Sequence, residues 1–171
     1  MKLFAFYIGG SIPGSLIELH DVRIIAGNAL EDCYDQIRDS WWGTPDSLHL
    51  DCWGELNSAD GHNIILREEP ATGEDKLWFV NLGGYDPADF NELHKNIFVV
   101  APNASKAKVR ALKTILDWKS HHKDEQYEVE TLACVNDIVG GGKWFIHLEK
   151  SDNVVPFTFK FGFNPDIRKK A

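Results

Sequence analysis

The chain has 171 residues, 43% hydrophobic and 26% charged, with a formal net charge of −8 at pH 7. That length suits one domain, or two small halves sharing a core, and it buries enough surface to fold without disulfides or metal. The composition excludes disorder, collagen and coiled coil, no apolar run approaches the roughly 20 residues of a membrane span, and the acidic balance excludes a nucleic-acid partner.

Residues 3–8 are continuously apolar, which predicts a strand covered on both faces, and Gly9-Gly10 ends it. A long loop follows, then a second strand over 22–26. Asn28 is placed to cap a helix, with Glu31 three residues on, and Leu30, Cys33, Ile37 and Trp41 share one face of it. The run Trp41-Trp42-Gly43-Thr44-Pro45 ends the helix. Leu48, Leu50 and Cys52 alternate with His49, Asp51 and Trp53, the period of a half-buried strand, and the Asp60-Gly61 turn leads to a hairpin partner at Ile64-Ile65-Leu66. The stretch Thr72-Gly73-Glu74-Asp75 is the candidate boundary.

Beyond it the same order returns. Leu77–Leu82 and Gly83-Gly84 echo the first strand, and Ile97–Ala101 is the next strand. Asn103 or Ser105 caps a longer helix that turns Ala104, Ala107, Ala111, Leu112, Ile115 and Trp118 inward. Tyr127, Val129, Thr131 and Ala133 alternate with Glu128, Glu130, Leu132 and Cys134, Gly140-Gly141-Gly142 turns into Trp144–Leu148, and Phe157, Phe159, Phe161 and Phe163 place four rings on one face of a last strand. The echo is in register: Glu18-Leu19-His20 returns as Glu92-Leu93-His94 and Pro13 falls opposite Pro87, at a constant offset of 74 residues. The expected fold is α+β, with two tandem β-β-α-β-β repeats, residues 1–73 and 74–171, and a C-terminal strand. Mainly antiparallel sheet packs on two helices as one pseudo-symmetric unit.

The Gly9-Gly10 strand end, Ile17–Val22, Trp42-Gly43 and Leu48-His49-Leu50-Asp51 together resemble the domain of unknown function 1543 family. The resemblance covers residues 3 to about 135. It implies a bacterial protein whose module occurs singly or in tandem, and it implies no activity. Copy two departs from the pattern, with Lys95 at the place of Asp21 and no His-x-Asp strand.

Glu18 and His20, with their counterparts Glu92 and His94, offer a carboxylate and an imidazole for acid–base work or metal binding. The plainer reading lets each imidazole bond loop backbone left without ladder partners. His49 and Asp51 project from one strand face with Trp53 beside them, and with His20 they would make a two-histidine, one-carboxylate ligand set. The spacing is common by chance, so no metal and no cofactor are assigned. The glycines at 9–14 and at 140–142 lack the signature of a phosphate loop. No serine-nucleophile elbow occurs, and His121-His122, at a helix end, reads as a surface pair.

Cys33, Cys52 and Cys134 are isolated and odd in number, and the N-terminal apolar stretch is too short for a secretion signal, so a reduced, cytoplasmic setting is expected. Residues 1–75 carry four basic and fourteen acidic side chains, and 76–171 carry fourteen and twelve. Helix one exposes Glu31, Asp32, Asp35 and Asp39, and helix two exposes Lys106, Lys108, Arg110, Lys113 and Lys119, so a homo-oligomer is the partner considered. The leading expectation is a non-enzymatic binding or protein-interaction module with neither nucleic acid nor membrane as partner. The alternative is a small metal-dependent or acid–base hydrolase using Glu18, His20, His49 and Asp51. Clustering of those four side chains in one cleft favours the enzyme, whereas two His20-type sites far apart and backbone-bonded favour the module.

Overall fold

The computed structural model describes residues 1–86, 88–114, 128–139 and 143–169. The expectations resting on Pro87, Ile115, Trp118, Lys119, His121, His122, Tyr127 and Gly140–Gly142 lie outside the described residues. The described chain is α+β. Its elements in chain order are β1 (Lys2–Gly10), β2 (Leu19–Gly27), α1 (Tyr34–Ser40), β3 (His49–Glu55), β4 (Ser58–Ala59), β5 (His62–Arg67), β6 (Lys76–Tyr85), β7 (Glu92–Ala101), α2 (Ala104–Lys113), β8 (Glu128–Cys134), α3 (Val135–Val139), β9 (Phe145–Lys150) and β10 (Lys160–Asn164). Every strand pairing among them is antiparallel. Among the described residues no helix is long and apolar enough to cross a membrane.

Two sheets face each other. One has the order β10-β3-β1-β2, the other β7-β6-β8, and a small sheet β4-β5-β9 flanks them. The apolar run of β1 is continuous because both of its faces are covered. Phe4, Phe6 and Ile8 pack outward with Ile37 of α1 and with Ile167, while Leu3 and Ala5 pack inward against Leu77 and Phe79 of β6. β6 divides in the same way, sending Val80 and Leu82 outward to Ala107 and Ala111 of α2. Each fully buried Leu, Ile or Phe contributes about 1.5–3 kcal/mol, so three such clusters fix the position of the strands between them.

Several expectations change in detail. β2 starts at Leu19 and β7 at Glu92, so His20 and His94 stand in strands and not in a loop. The first helix is not capped by Asn28 and Glu31: a 3-10 turn at Glu31–Cys33 precedes α1, and the Asp32 carboxylate accepts the backbone N–H groups of Asn28 and Ala29. In α2 the expected cap holds, because the Asn103 side chain accepts the N–H of Lys106 at 3.0 Å. Asp60 and Gly61, with φ of 50° and 76°, form the two-residue turn of a β4–β5 hairpin, but the long partner of β5 is β9 and not β3. The four phenylalanines do not share a face. Gly162 has φ 132°, the β10–β3 register shifts between Phe161 and Asn164, Phe157 packs inward, and Phe161 is exposed.

Candidate functional site

Gly9 pairs with His20 on one side and with His49 on the other, so three strands meet at a residue that has no side chain. Immediately beyond, the β1–β3 register slips by one residue between Tyr7 and Ile8, which leaves Asp51 as the extra residue of a β-bulge. The slip has two effects. It returns Trp53 to the outer face with Phe6, away from His49 and not beside it. It also leaves the Asp51 carboxylate over Gly9, where a Cβ would come within 2.7 Å of Asp51 Oδ2 and 2.9 Å of His49 Nε2.

The four residues named from the sequence form one chain of contacts. Glu18 Oε2 lies 3.5 Å from His49 Nε2, which lies 3.4 Å from Asp51 Oδ1, and Asp51 Oδ2 lies 3.3 Å from His20 Nε2. The His49 side chain is 2% exposed, Asp51 29%, His20 36% and Glu18 50%, so the cluster runs from the interior to the surface. Asp51 Oδ2 is buried and has no hydrogen bond of acceptable geometry.

His49 is the most constrained member. Its Nδ1 lies 2.8 Å from the Ser47 carbonyl oxygen, an acceptor only, so Nδ1 carries the hydrogen. Nε2 is therefore the atom turned to the two carboxylates. A bare lone pair facing two anions is repulsive, and a cation at Nε2, a proton or a metal ion, removes the conflict. The Phe163 ring covers the imidazole at 4.5 Å between centroids, and Arg168 donates to the carbonyls of Leu48 and Ser47 at 2.6 and 3.0 Å. On the outer side, His20 stacks on Tyr7 with centroids 5.2 Å apart and rings 7° from parallel. Burial, then the Asp51 charge, raises the Tyr7 hydroxyl above its usual range, so it stays a proton donor.

The second hairpin has a similar arrangement with different side chains. Gly83 pairs with His94, the β6–β8 register slips between Asn81 and Leu82, and the displaced residue is Glu130. His94 Nε2 lies 3.1 Å from Glu130 Oε2 and 3.6 Å from Glu92 Oε2, with all three residues exposed. Opposite Gly83, where the first site has His49, stands Glu128.

Other polar residues lie apart from both clusters. Asp21 pairs with Arg23, His62 bonds the Asp60 carbonyl and His147 the Glu69 carbonyl. Gly9 and Gly10 are strand residues, and a Cβ at Gly10 would meet Trp41 at 2.7 Å, so no phosphate cradle forms there. Sequence reasoning missed Tyr7, Ser47, Arg168 and Glu130. A faint signal existed for one of them: Tyr7 stands two residues before Gly9 on the same strand face.

The family model of the Domain of Unknown Function (DUF1543) matches residues 15–66, the span that carries Glu18, His20, His49 and Asp51. Among solved structures, the chain is similar to the protein Il1583 from Idiomarina loihiensis, with 31% identity, 95% of each chain covered and a TM-score of 0.69. No curated protein matches.

Proposed function

The chain belongs to the DUF1543 family, and from the geometry of its first cluster we propose that it binds a divalent metal ion at Glu18, His20, His49 and Asp51 and acts as a small metal-dependent hydrolase. The observation that carries this reading is His49: a buried imidazole, locked by Ser47, that turns Nε2 to two carboxylates at 3.4 and 3.5 Å. Two imidazoles with two carboxylates supply the nitrogen and oxygen donors that zinc, manganese or ferrous iron takes, and the chain of contacts Glu18–His49–Asp51–His20 would have to draw together to share one ion. Such an ion supplies Lewis acidity for hydrolysis. The chain's own part is to hold the ligand atoms in place, with Ser47 fixing the His49 tautomer, Tyr7 orienting the His20 ring, and Phe163 keeping water from the inner imidazole.

The two halves, residues 1–73 and 74–171, are read as copies of one β-β-α-β-β unit. Support comes from the matching Gly9–His20 and Gly83–His94 pairs, each followed by a bulge that places an acidic residue over the glycine. In this reading only the first copy keeps the inner histidine.

The test is a zinc titration of chelator-stripped protein by calorimetry, with His49→Ala and Asp51→Asn alongside. One site per chain, lost in both variants, is the expected result. No zinc uptake by the stripped chain, or equal uptake by His49→Ala, overturns the proposal.

A second reading keeps the chain as a self-associating interaction module. It is favoured by the exposed Asp35 and Asp39 of α1 against the exposed Lys106, Lys108 and Lys113 of α2. Light scattering at rising salt tests it, since an oligomer held by those faces dissociates and one held otherwise does not.

A further inference from the structure

Between the two facing sheets lies an open cleft of about 690 Å3, within the size range of small-molecule sites. Seven residues of its lining are Phe, Tyr or Trp, among them Tyr7, Phe79, Phe98, Phe157 and Phe159. Four of these seven form a continuous series: Phe79 to Phe98 at 5.7 Å, Phe98 to Phe157 edge-on at 6.1 Å, and Phe157 to Phe159 at 5.7 Å. Phe159, at the end of the series, is 55% exposed, so the series leads from the core to solvent.

Hydrogen-bonding groups enter this wall at Tyr7, and at His94 with Asn96. Asn96 accepts from Asn81 through Oδ1, which leaves its NH2 group as a donor. Tyr7 stacks on His20, so the cleft adjoins the first cluster through a single side chain. His94 belongs to the second cluster and lines the cleft directly.

Carboxylates outnumber cations around the cleft. Asp51 and Asp21 act on Tyr7, Glu92 and Glu130 flank His94, and Asp60 lines the wall, while Arg23 pairs with Asp21 and Arg110 with Asp60. Aromatic walls favour a flat ring that stacks edge-to-face or offset, and the carboxylates oppose an anion.

We infer that the cleft is a binding site for an aromatic small molecule that carries a hydrogen-bonding group and no negative charge. It rests on the hydrolase reading only in making that molecule the substrate. An acceptor group on the ligand meets the Tyr7 hydroxyl or the Asn96 amide, while the ring system lies along Phe98, Phe157 and Phe159.

Two dyes that differ by one sulfonate test this on the full chain. N-phenyl-1-naphthylamine is neutral, and 8-anilino-1-naphthalenesulfonate is its anionic counterpart. The expected result is saturable fluorescence enhancement by the neutral dye at one site per chain, with the sulfonate at least about tenfold weaker. Phe159→Ala, a change at an exposed ring, should weaken the neutral dye about tenfold, and Ala59→Trp, which fills the cleft, should weaken it further. If circular dichroism shows Ala59→Trp unfolded, Phe159→Ala decides. No saturable signal, equal affinity for the two dyes, or no effect of Phe159→Ala overturns the inference. Zinc titration of the same samples reads the metal site separately: uptake without dye binding removes the cleft and keeps the metal, and dye binding without uptake does the reverse.

Discussion

Gly9 lies directly under His49, so close that a Cβ on it would stand 2.9 Å from Nε2 of the imidazole, and 2.7 Å from Asp51 Oδ2. No side chain fits there while both groups keep their places. Gly9→Ala should therefore push the imidazole and the carboxylate apart. The expected cost is about 1–3 kcal/mol of stability, as for other overpacked sites, with zinc affinity reduced by at least about tenfold. Urea melts and calorimetric titration check the two effects. Unchanged zinc affinity in a folded Gly9→Ala protein would separate the glycine from the metal site.

The two histidine clusters should not behave alike. His49 is buried and backed by Ser47, whereas Glu92, His94 and Glu130 are all exposed and Glu128 stands where the inner histidine would be. His94→Ala is expected to leave tight zinc uptake at one ion per chain, while His49→Ala abolishes it. Metal analysis after gel filtration reads the difference. Equal loss in both variants would assign the ion to a site that the two clusters share.

How much of this could be read from residues alone depended on what each feature needs. The covered strand β1, the Asn103 cap and the Asp60-Gly61 turn are written in local pattern, because burial on both faces, a side-chain acceptor and a positive φ each select residue types nearby. The four members of the first cluster were legible as residues that chemistry could use. Their meeting was not legible, because it depends on pairing across 30 or more residues and on a bulge at Asp51 that leaves no mark in composition. The same bulge defeated the placement of Trp53. Gly162 and the β10 register shift likewise broke the alternation of the phenylalanines.

Alkaline pH should weaken the fold through Cys33. Burial first, then the Asp32 and Glu31 carboxylates, push its thiol up to about 12 from 9.0. The folded chain thus holds a neutral thiol where the unfolded chain releases a proton. The contribution is fully present below pH 9.0 and is lost as pH rises toward about 12, by up to about 1.4 kcal/mol for each pH unit. Cys52 and Cys134 are raised too, chiefly by burial, so Cys33→Ala removes only part of the alkaline decline. Urea melts across that range should show a shallower fall in Cys33→Ala than in the parent. An identical slope would assign the decline to other groups.

The last turn of the described chain should matter out of proportion to its position. Ile167 is fully buried in the cluster that holds Phe6 and Ile37, and Arg38 donates to the carbonyls of Ile167 and Lys169 at 2.6 and 2.9 Å. Ile167→Ala leaves a cavity among those residues and should cost about 2–5 kcal/mol. Arg168 acts differently. It donates to Leu48 and Ser47, and Ser47 is the carbonyl that orients His49. Removing the guanidinium frees that carbonyl to move, so Arg168→Ala should lower zinc affinity about threefold to tenfold as well as stability by about 1.5–3 kcal/mol. Ile167→Ala should spare the affinity of whatever fraction remains folded. Melts paired with zinc titrations distinguish the two, and an Arg168→Ala protein that loses stability but binds zinc as before would reduce the arginine to a packing role.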